Sequence, residues 1–302
     1  MNVIERCDAL ENALLQRIGG IYAGALEDAL KSKRRFLQKV KALDEGRIKP
    51  PQYYVDTDQV GKWREGFVRE LIRQENVING IMQELDKAGV RAAVAIQDTN
   101  PEYYTLNREE AVRQLAKGLK PNGMDGMLKA RTREQVEILL RDEMPVFSKL
   151  AYSNLAHSTA VRNRLQNELA QATILGESQE KLIRRIRDVT GQAVWQARRI
   201  AQTERTRVQS QARWDAGNEA MALGVRVANR WSTRMVNSRD SHVALDGKWA
   251  WQGEYFPGGL LRYPGDPTAP AQEVVNCHCV LVPDVLKEGQ MIVDGAVVSS
   301  WL

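Results

Sequence analysis

The feature that most limits what this chain can fold into is a change of hydrophobic period at Gly224. Before it, apolar residues recur every three or four positions, the repeat of an amphipathic helix. After it, Val225, Val227 and Trp231 are spaced as one strand face, with Arg226 and Arg230 on the other. Turn formers then crowd in, with Gly253, Pro257, Gly258, Gly259, Pro264, Gly265, Pro267 and Pro270 marking a long structured loop. Val274 to Val282 reads as a further strand, and Gln290 to Val298 as a hairpin turning at Asp294-Gly295. The expected fold is mainly α: an extended helical body with a small α+β C-terminal module.

Within the body, residues 3–45 read as one or two helices on the stripe Cys7, Leu10, Leu14, Ile18, Ile21 and Ala25, weakened at Gly19-Gly20 and stopped at Gly46. Pro50-Pro51 breaks the chain, and Tyr53-Tyr54 lies in an extended linker. A helix is expected from Thr57, as N-cap, to Lys87, closed by Gly89. Arg91 to Ile96 is compatible with strand or helix, and Asn100-Pro101 reads as a turn. Asn107 with Glu110 resembles a capping box opening a helix to about Leu119, and Thr132 with Gln135 repeats the pattern. Pro121-Asn122-Gly123 is the best linker, and Pro145 should kink or end the helix that precedes it. From Val146 to Ala222 the pattern is almost wholly helical, divided at Gly176 with Ser178 as N-cap. This gives three regions: helical 1–120, an Arg-rich helical body 121–224, and the compact α+β module 225–302.

No apolar run approaches the roughly 20 residues of a membrane-spanning helix. The start, Met1-Asn2-Val3-Ile4-Glu5-Arg6, lacks the pattern of a secretory signal. Three cysteines are too few for a disulfide framework, which points to assembly in a reducing cytoplasm. Net charge is +5, but its placement says more than its size. Between Lys181 and Trp214 nine basic residues face only Asp188 and Glu204, and Lys31 to Lys41 carries six with no acid. Such runs attract polyanions or form a solvated helix face. Few aromatics interleave with the arginines, so base stacking is not indicated.

Two of the three cysteines and two of the three histidines fall in the C-terminal module. On an extended strand Cys277 and Cys279 would share a face, with His278 opposite. With His242 and Asp240 they would supply four ligands for zinc, although structural sites usually separate paired cysteines by two to four residues. The alternative is that the thiols pack as small hydrophobes while His242 fixes the loop by a hydrogen bond. A disulfide across one intervening residue would be strained. Asp240 with His242 could also form an oriented general base, but no Gly-x-Ser-x-Gly elbow accompanies them. Asp240, Asp246, Glu254 and Asp266 show no nuclease-like spacing, and Asp246-Gly247 reads as a turn. Glu204 could pin helix to sheet by pairing with Arg230 or Arg239, or pair with Arg207 on its own helix.

In combination these pieces resemble the phage Mu protein F-like family of minor head morphogenesis proteins, over about residues 150–283. The resemblance is carried by Gly176-Glu177-Ser178, by Ile200-Ala201-Gln202-Thr203-Glu204-Arg205, by Trp231 and by Asp240-Ser241-His242. Leu245-Asp246-Gly247, Phe256-Pro257 and Asn276-Cys277-His278-Cys279, closing on Pro283, complete it. Family members commonly have Cys-Arg-Cys where this chain has Cys277-His278-Cys279. Thr203, Glu204, Trp231, Asp246, Gly247 and Asn276 are thus expected as structural motif residues. The resemblance implies a low-copy virion component of a tailed phage or prophage, at the head interior or portal vertex, and in the host cytoplasm during assembly. It implies portal and head proteins as partners, with a part in head assembly, packaging or delivery of the genome. Packaged double-stranded DNA would be met without sequence reading, through phosphate contacts from Arg184, Arg185, Arg198 and Arg199. Portal contact would fall to apolar helix faces in the N-terminal half.

Some proteins with this module carry toxin domains. Arg230-Trp231-Ser232-Thr233 resembles elements of ADP-ribosyltransferases, but Arg234 stands where a third serine belongs. No Glu-x-Glu or Gln-x-Glu pair follows, Gln272-Glu273 being adjacent. The expected role is therefore non-enzymatic, without a cofactor apart from zinc at the cysteine–histidine group.

Overall fold

The structure, a computed structural model, describes residues 3–142, 159–175, 177–235 and 238–299. Helix α1 (Val3–Ser32) runs straight through Gly19-Gly20, and the break falls at Lys33, before α2 (Arg34–Asp44). Burial of Leu14, Ile18, Tyr22 and Ala25 on one continuous stripe outweighs the local cost of two helical glycines. Gly46 adopts φ +67° as a C-terminal stop, and the Arg47 N–H reaches back to the Ala42 carbonyl. Helix α3 (Thr57–Gln74) is capped by Asp56, one residue earlier than expected, whose carboxylate accepts from Gln59 N at 2.7 Å.

The helix expected to reach Lys87 stops instead at Gln74, where Asn76 turns left-handed at φ +46°. Helix α4 (Val77–Leu119) then passes through Gly89, Arg91–Ile96, Asn100-Pro101 and Asn107 without interruption. Buried Ile81, Leu85, Ala88, Ala92, Ala95, Ile96, Tyr103 and Leu106 supply an apolar stripe that overrides the local turn signals. The helix tolerates Pro101, whose carbonyl accepts from Thr105 Oγ1 at 2.9 Å.

A single 3₁₀ turn (Lys120–Asn122) and Gly123 at φ +68° form the linker. Helix α5 (Arg133–Asp142) opens on a reciprocal box: Thr132 N donates to Gln135 Oε1 and Gln135 N to Thr132 Oγ1. Helix α6 spans Thr159–Ile174, and α7 (Gln179–Ala222) follows Ser178, whose hydroxyl accepts from Lys181 N. The readings at Pro145, Val146–His157 and Gly176 lie outside the described residues.

Beyond Gly224 (φ +85°) the chain builds an antiparallel sheet in the order β2-β1-β3, from β1 (Val227–Ser232), β2 (Trp249–Trp251) and β3 (Val280–Val285). Trp231 sits opposite Leu281, and Asn229 lies between Ala250 and Pro283. A one-turn helix α8 (Asp240–Val243) lies between β1 and β2. The strand expected over Val274–Val282 starts only at Val280. It is preceded by a one-turn helix α9 (Ala271–Val274) and by Asn276 at φ +57°. A second sheet is the hairpin of β4 (Gln290–Val293) and β5 (Ala296–Ser299). Its Asp294-Gly295 turn has φ of 49° and 73°, the double positive that favours a two-residue hairpin loop.

The fold is mainly α with a small C-terminal α+β module. Two compact units cut across the boundaries at 120 and 224: one takes its residues from 1–14, 96–147 and 199–302, the other from 15–95 and 148–198. The core of the first centres on Trp214, Trp231, Phe256, Tyr263, Cys277 and Leu281, all buried. Among the described residues no helix is long and apolar enough to cross a membrane.

Candidate functional site

The site grows around the C-terminal part of α7. Residues Ala201–Ser210 are buried without exception, and Ala212, Arg213 and Trp214 follow them inside. A helix enclosed on every side must satisfy its polar side chains with protein partners. Thr203 Oγ1 donates to its own Arg199 carbonyl at 2.8 Å and accepts from Asn276 N at 2.9 Å. Gln202 Nε2 donates to the Cys277 carbonyl at 3.1 Å, and the Thr206 hydroxyl donates to the same oxygen. Three side chains on adjacent turns therefore grip one two-residue stretch of the cysteine loop. The left-handed Asn276 presents its N–H and the Cys277 carbonyl to the helix together.

That grip aims the two thiols at His242. Nδ1 of His242 lies 3.5 Å from Cys277 Sγ and 3.4 Å from Cys279 Sγ, and Cys277 Sγ also accepts from Cys279 N at 3.4 Å. All three side chains are buried, and they form a group able to hold a metal ion, with ligand atoms within 4.8 Å of one another. The Cys279 thiol next to it, then His242, hold Cys277 well below the usual thiol range, while Cys279 is pushed up. Trp231, fully buried, packs edge-on against both His242 and Phe256, with ring centroids 5.2 Å apart in each pair. On the far side of the imidazole, Glu273 Oε2 stands 3.1 Å from Nε2 but out of line for a hydrogen bond, and Ser241 Oγ donates to that same carboxylate oxygen at 3.0 Å. The turn below is fixed by Asp246, which accepts from Thr233 N at 2.7 Å, and by Gly247 (φ +74°), which donates to the Trp231 carbonyl.

Asp240 is exposed in the first turn of α8 and outside this group. His278 is half-buried and apart from it, its basicity lowered by desolvation. Glu204 does not reach Arg230 or Arg239. Its buried carboxylate pairs with Arg207 at 2.6 Å, and burial raises its pKa above the ordinary value. Arg239 instead donates to the Val275 carbonyl, and Arg230 stacks over Trp249.

The Arg-rich run is not one solvated face. Arg205 pairs with Asp8 and Glu11 from α1, and Arg213 donates to Asn107 Oδ1 and, at 3.1 Å, to the Leu281 carbonyl. Burial of Arg213 brings its pKa down to about 10. Arg185 is held between Glu168 (2.5 Å) and Glu177 (2.6 Å). Arg184, Arg198 and Arg199 are exposed. Lysines of the first basic run also meet acids: Lys31 pairs with Glu27, Lys39 with Glu75 and Lys41 with Glu45. A cavity of about 600 Å³ is lined by Cys7, Arg113, Arg205, Arg213, Arg230 and Arg234, among others.

Sequence reasoning missed Asn107 as Arg213's acceptor, Glu273 behind His242, and Gln202 and Thr206 as loop ligands. One signal was available: Gln202, Thr203 and Thr206 put three hydrogen-bonding groups on an otherwise small, apolar stripe.

Fold and site together define a class: an α+β module threaded by one buried polar helix and closed by a cysteine–histidine loop. Residues 163–282 match the family described as Phage Mu protein F like protein. The chain is 30% identical over 157 residues to the NAD(+)–arginine ADP-ribosyltransferase EFV of Enterococcus faecalis, covering 46% of this chain and 32% of that protein. It is 33% identical over 93 residues to the uncharacterized protein YqbB of Bacillus subtilis, covering 30% of each. The chain thus spans about a third of the length of the curated relatives it matches. No solved structure matches it.

Proposed function

We propose that the protein is a non-enzymatic minor head component of a tailed phage or prophage, acting in head morphogenesis at the portal and in packaging or delivery of DNA. The observation that carries this reading is the family match over residues 163–282, whose motif residues are spent on holding the module together. Thr203 and Asn276 bond to one another, Trp231 fills the core, and Asp246 and Gly247 make a turn. Arg230-Trp231-Ser232-Thr233 belongs to the same core strand and its end, which supports a structural use of that sequence. The Enterococcus relative's transferase activity is a property of a protein of which this chain matches a third.

DNA contact falls to Arg184, Arg198 and Arg199, whose positions on α7 are exposed, whereas Arg185 is already committed to two carboxylates. Contact with portal or head proteins suits exposed apolar residues of the N-terminal region such as Val90 and Val94, one turn apart on α4. The test is made on purified heads from cells producing the phage, with and without this chain. The chain should co-sediment with heads, and its loss should reduce DNA-filled heads several-fold. Heads that lack the chain, form in normal number and fill normally would overturn the reading.

A further inference from the structure

We propose that His242, Cys277 and Cys279 bind a zinc ion. Zinc–sulfur and zinc–nitrogen bonds of about 2.3 and 2.0 Å, set at the tetrahedral angle, require a nitrogen–sulfur edge of about 3.5 Å. The two edges here are 3.5 and 3.4 Å, both from the same imidazole nitrogen, Nδ1. Since the ligand atoms all lie within 4.8 Å of one another, bringing the sulfurs to a tetrahedral edge of about 3.8 Å takes a movement of about 1 Å at most. The surroundings fit the same purpose. Glu273 Oε2 stands 3.1 Å from Nε2, on the side away from the sulfurs, where its charge favours a proton on Nε2 and leaves Nδ1 free for a metal. Cys279 N–H points at Cys277 Sγ, the kind of backbone contact that supports a thiolate ligand.

Charge selects the ion. Both sulfurs bind as thiolates, so a divalent cation with two thiolates and a neutral imidazole sums to zero. A neutral assembly is what a fully buried site can hold at low desolvation cost. A monovalent soft cation such as Cu(I) would leave a net negative charge buried next to Glu273. Three protein ligands leave one position for a water or a further donor. The helix grip then acquires a purpose: Gln202, Thr203 and Thr206 hold the backbone on both sides of the Cys277 side chain in place before the ion arrives.

The full chain, purified without chelator, should carry about one zinc per molecule by elemental analysis. Replacing it with Co²⁺ should give the visible bands and the thiolate-to-cobalt charge transfer of a tetrahedral site. Cys277→Ser and Cys279→Ser should each lose the metal, and Cys7→Ser should keep it. Because the first two variants can fail to fold, the wild-type cobalt titration stands alone. Folded wild-type protein that binds no Co²⁺ with thiolate charge transfer overturns the proposal, as do serine variants that retain zinc.

Discussion

Thr203 does two jobs with one oxygen, donating to Arg199 O and accepting from Asn276 N, with its own side chain buried. Thr203→Val keeps the volume and strands the Asn276 N–H. Denaturant unfolding should show a loss of about 0.5–1.5 kcal/mol, the net worth of one hydrogen bond. Glu204 titrates in the opposite sense to a surface acid. Its folded pKa lies above the ordinary 4.5, because burial outweighs the pull of Arg207. The folded state then holds the proton more tightly than the unfolded chain. The stability this group contributes is present below the unfolded pKa and falls as pH rises toward the folded one. In Glu204→Gln that downward slope above pH 4.5 should flatten, as read from urea midpoints across pH.

At the scale of elements, α7 meets the end of β2 through Gly217 and Gln252, the residue just after the strand. A Cβ on Gly217 would stand 2.6 Å from Gln252 Oε1. That amide cannot swing aside. It accepts from Asn229 and donates to the Trp214 carbonyl and to Asn218, all at 2.7–3.0 Å. Gly217→Ala should therefore lower the melting midpoint, its cost of about 1–3 kcal/mol exceeding the gain in helix propensity. The elements themselves divide into those written locally and those written at long range. The Thr132–Gln135 box, Ser178 and the Asp294-Gly295 turn were legible because a cap or tight turn is decided by a few neighbouring residues. Asn100-Pro101 and Asn107 misled because burial of Tyr103, Tyr104 and Leu106 keeps α4 helical through them. The convergence of His242 with the cysteines could be read from their scarcity. The fate of Arg205 could not, since its acids lie nearly two hundred residues earlier, at Asp8 and Glu11.

At the scale of the molecule, the family-matched segment 163–282 does not coincide with a compact unit. The compact unit holding the cysteine loop also draws on residues 1–14 and 96–147. Those stretches supply Asp8 and Glu11 for Arg205, Asn107 for Arg213, Tyr104 for Asp215 and Arg108 for Glu219. A fragment of residues 163–302 takes both acids from Arg205 and the Asn107 acceptor from Arg213. It should show reduced cooperativity and rapid amide exchange across α7, where the full chain is protected. Charge reversal should also separate two kinds of arginine. Arg184→Glu should weaken salt-dependent DNA binding with little change in stability. Arg185→Glu places a third carboxylate beside Glu168 and Glu177, and should destabilise the fold.

A helix gripped through a different side chain on each flank has no freedom to be lengthened. One residue inserted between Thr206 and Gln211 turns everything beyond it by about 100°. Arg213 would swing away from Asn107 and Leu281, and Gln211 from Tyr263, while Thr203 and Thr206 stayed on the cysteine loop. Even a full added turn restores the heading but carries those groups about 5 Å along the axis. The spacing between Thr203 and Arg213 is therefore a ruler, and the module closes at a single setting of it.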